Sequence, residues 1–171
     1  MISLINKTTK NLRKTEINEI CKLKNFEWKY GFNSQKSWFK KNIKLKDFHN
    51  ILLIKKKIYG YTCLRKRTYR IDKKNYKNLL FDTLIVNSSL RKNGFGKLIM
   101  IFNNYIIKKN KLPSFLVCRK KTLNFYKDNN WRQLKNKNFK IMDQKFPNQY
   151  GMMFNEKLFK KRNKLLLWTK K

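Results

Sequence analysis

The sequence predicts an α/β protein built on a central mixed sheet, and three observations carry that prediction. β-Rich runs alternate with helical stretches in the order αα-ββ-β-α-β-α-β-β, as layered α/β folds do. A strong core strand over 79–86 runs into a turn with two glycines and then into a helix that is apolar nearly all round. The length of 171 residues suits one domain, and 41% apolar with 15% aromatic residues is enough to build a core. One domain over 1–171 is therefore expected, with 156–171 as a basic C-terminal segment.

Residues 8–23 carry apolar side chains at Leu12, Ile17, Ile20 and Leu23, with Thr15 and Glu16 near the start, a pattern that predicts a helix. A second helix follows over 34–43 with Ser34 at its cap. From His49 the period changes, and 51–54 and 58–64 read as antiparallel strands punctuated by Gly60. Residues 69–76 form a polar connection, and 79–86 is a core strand rich in β-branched and aromatic residues. After the glycine turn come a buried helix over 97–107, Pro113, a strand over 115–118 and a helix over 121–128. Trp131 opens a short strand, and 150–154 reads as the last. The tail over 157–171 is basic with apolar insertions. It reads as a terminal helix or frayed end docked through residues 165–168, or as a contact for RNA, a membrane surface or a partner.

Lys and Arg number 44 against 9 Asp and Glu, a formal charge of +35. The excess is carried by 36 Lys and only 8 Arg, beside 22 Asn and no Ala. That profile fits AT-biased codon drift at surface positions. It also fits a polyanionic partner, although nucleic-acid binders favour Arg for its bidentate fork. Residues 1–5 are too short for a signal-peptide core, and the longest apolar stretches fall far below the ~20 residues of a membrane span. Cys21, Cys63 and Cys118 are widely spaced and His49 is the sole histidine, so no metal-ligand pattern is present. Buried, reduced cysteines and a cytoplasmic location are expected.

The segment that carries chemistry is Arg91-Lys92-Asn93-Gly94-Phe95-Gly96, a strand-to-helix turn followed by Lys97. Glycines let the backbone approach a ligand, and free N–H groups at a helix start form a seat for phosphate. The alternative is a tight turn without a ligand. The spacing matches neither a P-loop nor the three-glycine dinucleotide fingerprint.

These residues resemble the GCN5-related N-acetyltransferase superfamily, whose signature is a core strand followed by R/Q-x-x-G-x-G/A at a helix start. Arg91, Gly94 and Gly96 meet it, with Val86 five residues before Arg91. A second family segment, (L/F)-Y-x-x-x-G-F, is matched by Phe125-Tyr126-Lys-Asp-Asn-Asn130-Trp131, with Asn130 for Gly and Trp131 for Phe. The resemblance covers residues 48–155. It implies a mixed, mostly antiparallel sheet, splayed between two strands and flanked by helices. It implies acetyl-CoA in the splay between strands 79–86 and 115–118, with Leu84, Ile85 and Val86 along the pantetheine arm. Arg91, Lys92, Asn93, Gly94, Phe95, Gly96 and Lys97 would hold the pyrophosphate, and Arg119 falls where the family often has Asn.

The activity implied is direct transfer of an acetyl group to a primary amine. Tyr126 would protonate the leaving thiolate, or is a packing aromatic. Asp82 stands in the core strand where many relatives carry an acid, and reads as the base or as a structural ion-pair partner. His49 is the second candidate base, or a satisfied histidine. The expected acceptor is a small amine, with an anionic one favoured by the overall charge, and the protein a monomer or homodimer. The competing reading is a basic nucleic-acid- or ribosome-associated binding protein on this fold without catalysis.

Overall fold

The computed structural model describes residues 1–135, 138–143, 149–155 and 164–168. Its architecture is mixed α/β, with helices flanking a large, mostly antiparallel sheet. The chain forms two compact units, Met1–Arg65 with Asp82–Asn103, and Lys66–Phe81 with Asn104–Lys171. Three elements contribute residues to both: β3 (Lys57–Ile71), β4 (Lys74–Val86) and α3 (Phe95–Lys109).

In the first unit the strand order is β1 (Ile2–Thr8), β2 (Phe48–Ile54), β3, β4. β1 pairs antiparallel with β2 over its whole length, from Ile2↔Ile54 to Thr8↔Phe48. That pairing claims Thr8, so the first helix, α1, spans Lys14–Glu27 and not 8–23. Its start is fixed by Glu16, whose Oε2 accepts from the Arg13 N–H at 2.8 Å and whose Oε1 accepts from Lys7 Nζ at 2.7 Å. A side-chain carboxylate thus satisfies a free donor at the helix start. α2 spans Phe32–Asn42, beginning two residues before the expected Ser34. Gly31 precedes it at φ 89°.

The turn between β2 and β3 falls at Lys55 and Lys56, both at positive φ. Gly60 is therefore inside β3, where a Cβ would stand 3.1 Å from Leu52 Cβ. A register shift at Leu52/Leu53 bulges β3 beside it. The inward faces of both helices close over the sheet through Ile20, Cys21, Phe39, Ile51, Tyr61, Cys63 and Ile85. Each large apolar side chain buried this way contributes ~1.5–3 kcal/mol. The first turns of α3 seat Ile99 against Leu52 and Val86. Beneath them Asn50 and Thr62 donate to Asn103 Oδ1 at 2.9 and 3.0 Å.

In the second unit β4 runs parallel to β5 (Ser114–Arg119) through Leu79↔Ser114 and Leu80↔Phe115. β5 then pairs antiparallel with β8 (Gln149–Phe154), and β8 with β6 (Arg132–Gln133). The core gathers Tyr69, Leu80, Phe115, Leu134, Met153 and Leu167. Residues 69–76 are not a connection but the ends of β3 and β4, joined around Asp72 at φ 53°. Two further strands appear, β7 (Phe139–Ile141) and β9 (Leu165–Leu167). β9 pairs with β3 and β7, so this part of the tail is strand where a helix or frayed end was expected. Apolar Leu165 and Leu167 alternate with Leu166 and are buried, which is strand periodicity. Residues 156–163 and 169–171 of the basic tail lie outside the described residues. No described helix is long and apolar enough to cross a membrane.

Candidate active site

β4 ends at Val86, and the next residue is anchored by its backbone, with Asn87 N–H donating to Tyr59 C=O at 2.7 Å. That carbonyl is offered by the bulged stretch of β3. Asn87 Oδ1 accepts from the Ser89 N–H and hydroxyl at 3.1 and 3.0 Å, tightening the 3-10 turn Ser88–Leu90. Lys92 and Gly94 then take positive φ, 65° and 78°, and α3 starts with Leu98 N–H donating to Gly94 C=O.

The N–H groups of Phe95, Gly96 and Lys97 precede that first helical bond, so the helix supplies them no acceptor. No acid stands in the first turn to neutralise its positive end. A Cβ built on Gly94 would meet nothing within 4 Å, and Arg91, Lys92, Asn93, Gly94 and Lys97 are exposed. The left-handed backbone, the donors without helical acceptors and the open space at Gly94 beside three cations fit the diphosphate of a coenzyme. Arg91 is already engaged: its Nε donates to Val86 C=O at 3.2 Å and its Nη2 to the Glu27 carboxylate.

Asp82, on β4, lines a pocket of ≈ 390 Å³ between that strand and helices α1 and α2. One carboxylate oxygen accepts from Arg65 Nη1 at 2.6 Å. Lys24, Trp28, Gln35 and Trp38 line the same pocket. Gln35 is locked by donating its Nε2 to Trp28 C=O at 3.1 Å.

In the second unit Tyr126 lies on α4 (Leu123–Asp128), half-buried among aromatic rings. Its ring meets Phe81 edge-on at 6.1 Å and Trp131 at 6.3 Å. Burial, with Cys118 nearby, pushes the phenol well above its ordinary range, so it holds its proton. Its hydroxyl has no hydrogen-bond partner among the described residues. α4 ends in a turn in which Trp131 N–H donates to Tyr126 C=O and Asn130 takes φ 65°. Asn130 thus adopts the left-handed conformation expected where the resembling family has Gly. Arg119 is exposed at the end of β5.

No family model matches the chain, and no curated protein matches it in sequence. Solved structures do match in fold. Escherichia coli ElaA superposes with a TM-score of 0.67 at 13% identity, over 90% of this chain and 99% of its own. An acyl-CoA N-acyltransferase from Pseudomonas aeruginosa gives the same TM-score, identity and coverage. An aminoglycoside 6'-N-acetyltransferase complexed with coenzyme A matches with a TM-score of 0.61 at 12% identity, over 88% of this chain and 96% of its own.

The fold is that of the GCN5-related N-acetyltransferases.

Within this N-acetyltransferase fold, the other expected residues separate by environment. Leu84 is half-buried, and Ile85 and Val86 are buried beside the turn they lead into. His49 is in the interior of the first unit, fully buried. Its Nε2 meets Thr9 Oγ1 at 2.8 Å, its Nδ1 meets Tyr61 Oη at 2.7 Å, and its ring stacks between Phe39 and Tyr61. Burial pushes it down to about 4. Both nitrogens are occupied, so this is the satisfied histidine and not a residue open to an amine. All three cysteines are buried and unpaired.

Sequence reasoning missed two cations at the Asp82 pocket. Lys24 follows Ile17 and Ile20 by seven and four residues, so helical spacing already put it on the inward face. Arg65 stands next to exposed Lys66 in a β-run, so the strand period placed it inward.

Proposed function

We propose that this chain is an acyl-CoA-dependent N-acyltransferase that moves an acetyl group from acetyl-CoA directly to a primary amine. The observation that carries the reading is the turn at Gly94, open to solvent and facing the unneutralised start of α3. Acetyl-CoA, when bound, supplies the activated thioester. The donors at Phe95, Gly96 and Lys97 would hold its diphosphate with Arg91, Lys92 and Asn93, and Leu84, Ile85 and the Val86 main chain would guide its pantetheine arm. Tyr126 keeps its proton through burial and is the general acid for the leaving thiolate. Asp82 assists removal of the proton from the incoming ammonium, since an amine of pKa ~10.4 is almost wholly protonated at neutral pH. Arg119 is a contact for the coenzyme arm.

The test is thermal stability in moderate salt with acetyl-CoA and, separately, with RNA. A ligand at 100-fold its dissociation constant adds ~2.7 kcal/mol of apparent stability. Stabilisation by acetyl-CoA is expected. No shift with acetyl-CoA and a salt-steep shift with RNA would overturn the reading in favour of a nucleic-acid binder.

A further inference from the structure

The pocket beside Asp82 carries an excess of positive charge, and that excess bears on the acceptor. Lys24 projects from α1 with only 5% of its surface exposed, and its Nζ stands 3.6 Å from the centroid of the Trp38 ring. Beyond that ring contact its charge feels Asp82 at longer range, but among the described residues no hydrogen bond or close ion pair takes its ammonium hydrogens. An ammonium has three donors to give. Arg65, buried on β3, stands 5.6 Å from the same ring and donates to Asp82. Two cations therefore face one carboxylate. Burial holds the Lys24 amine below its ordinary range, with Asp82 opposing that shift. An anion arriving in the pocket beside Nζ would meet donors that no described acceptor holds.

The same geometry argues against a polycationic acceptor. Trp38 could cage an ammonium, but Lys24 already stands over its ring. A second ammonium on the acceptor would face Lys24 without a carboxylate of its own. The volume of ≈ 390 Å³ is at the low end for ligand sites, which range over ~300–1,000 Å³ and here suit a small metabolite.

We propose that the acceptor is a small amine that also carries an anionic group, carboxylate or phosphate, with Lys24 receiving the anion and Asp82 facing the amine. This rests on the acyltransferase reading, and its test separates the two. The intact protein is titrated calorimetrically, with coenzyme A present, against two matched pairs: tryptophan with tryptamine, and phosphoethanolamine with ethanolamine. A charge-assisted hydrogen bond changes affinity by ~10–100-fold, so the anionic member of at least one pair is expected to bind at least ~10-fold tighter. The pair that responds tells carboxylate from phosphate. Lys24→Met should erase the preference, and Lys24→Arg should restore part of it.

Equal binding within both pairs, no binding by any of the four, or a preference that survives Lys24→Met overturns the proposal. If Lys24→Met does not fold, the wild-type pairs and Lys24→Arg decide. Thiol release from acetyl-CoA is measured separately with the amines that bind. Binding with the expected preference but no thiol release would sink the acyltransferase reading and leave the anion site standing.

Discussion

Replacing Gly94 separates what the fold needs from what the ligand needs. At φ 78° an L-residue carries a left-handed penalty of ~1–2 kcal/mol, larger for a β-branched side chain. Nothing in the chain lies within 4 Å of the new Cβ, so no steric cost adds to it. For a chain of this size each kcal/mol moves Tm by ~2–4 °C, so Gly94→Ala should melt ~2–8 °C lower. The open space its Cβ enters is the space assigned to the diphosphate, so the coenzyme should suffer far more than the fold. In wild type, acetyl-CoA at 100-fold its Kd should raise Tm by ~5–11 °C. In Gly94→Val that shift should vanish. Gly151→Ala is the contrasting control, because its Cβ would stand 2.7 Å from Phe139 Cζ. It should lose ~1–3 kcal/mol of stability by overpacking and keep the full coenzyme shift. A Gly94→Val protein that keeps the full shift would refute the assignment of this turn.

Tyr126→Phe should leave coenzyme affinity unchanged and lower kcat by ~10²–10⁴; unchanged turnover would make Tyr126 a packing residue and water the acid. Glu27→Gln should free Arg91 from an exposed ion pair worth ~0.2–1 kcal/mol. Coenzyme affinity by calorimetry should then rise by about 1.4- to 5-fold, less at high salt, whereas a fall would mean that Glu27 positions Arg91. His49 is neutral in the folded protein down to about pH 4, while the unfolded chain takes up its proton near 6.5. The unfolded state therefore binds more protons between those values, and stability should fall by roughly 3 kcal/mol as pH drops from 6.5 to 4. Urea denaturation of wild type and His49→Gln at pH 7 and pH 5 checks this, and an equal drop in both proteins would clear His49 of the effect.

What was legible in the sequence was what is local. The strand at 79–86, the glycine turn and the helix after it follow one another without a gap, so periodicity and turn chemistry located them; the helix is not buried all round as expected, since Leu98, Ile101 and Tyr105 are exposed. Asn130 was legible because it stands where the resembling family has Gly, and Asn tolerates positive φ. β1 was not, since Ile2–Thr8 is half-polar and half-exposed and becomes a strand only by pairing with β2, more than forty residues away. Gly60 was misread for a related reason. Its role is set by the approach of Leu52 from the neighbouring strand, while two lysines accept the positive φ of the turn. The tail was read by its charge, but two alternating leucines against β3 and β7 decided its conformation. At the site, the acid on β4 and the tyrosine on α4 stood out by residue type. Lys24 did not, because one lysine among 36 draws no notice until its helical face is worked out.

The mass of the product distinguishes an acyltransferase from a binding protein on the same fold. The wild-type protein is incubated with acetyl-CoA and a panel of primary amines, and each amine is weighed by mass spectrometry against reactions with Gly94→Val. An acetylated amine, formed with one free coenzyme thiol per product molecule, is expected from wild type and not from the variant. No acetylated product from any amine in a panel spanning amino acids, phosphorylated amines, polyamines and peptide N-termini, with acetyl-CoA intact at the end, would contradict it.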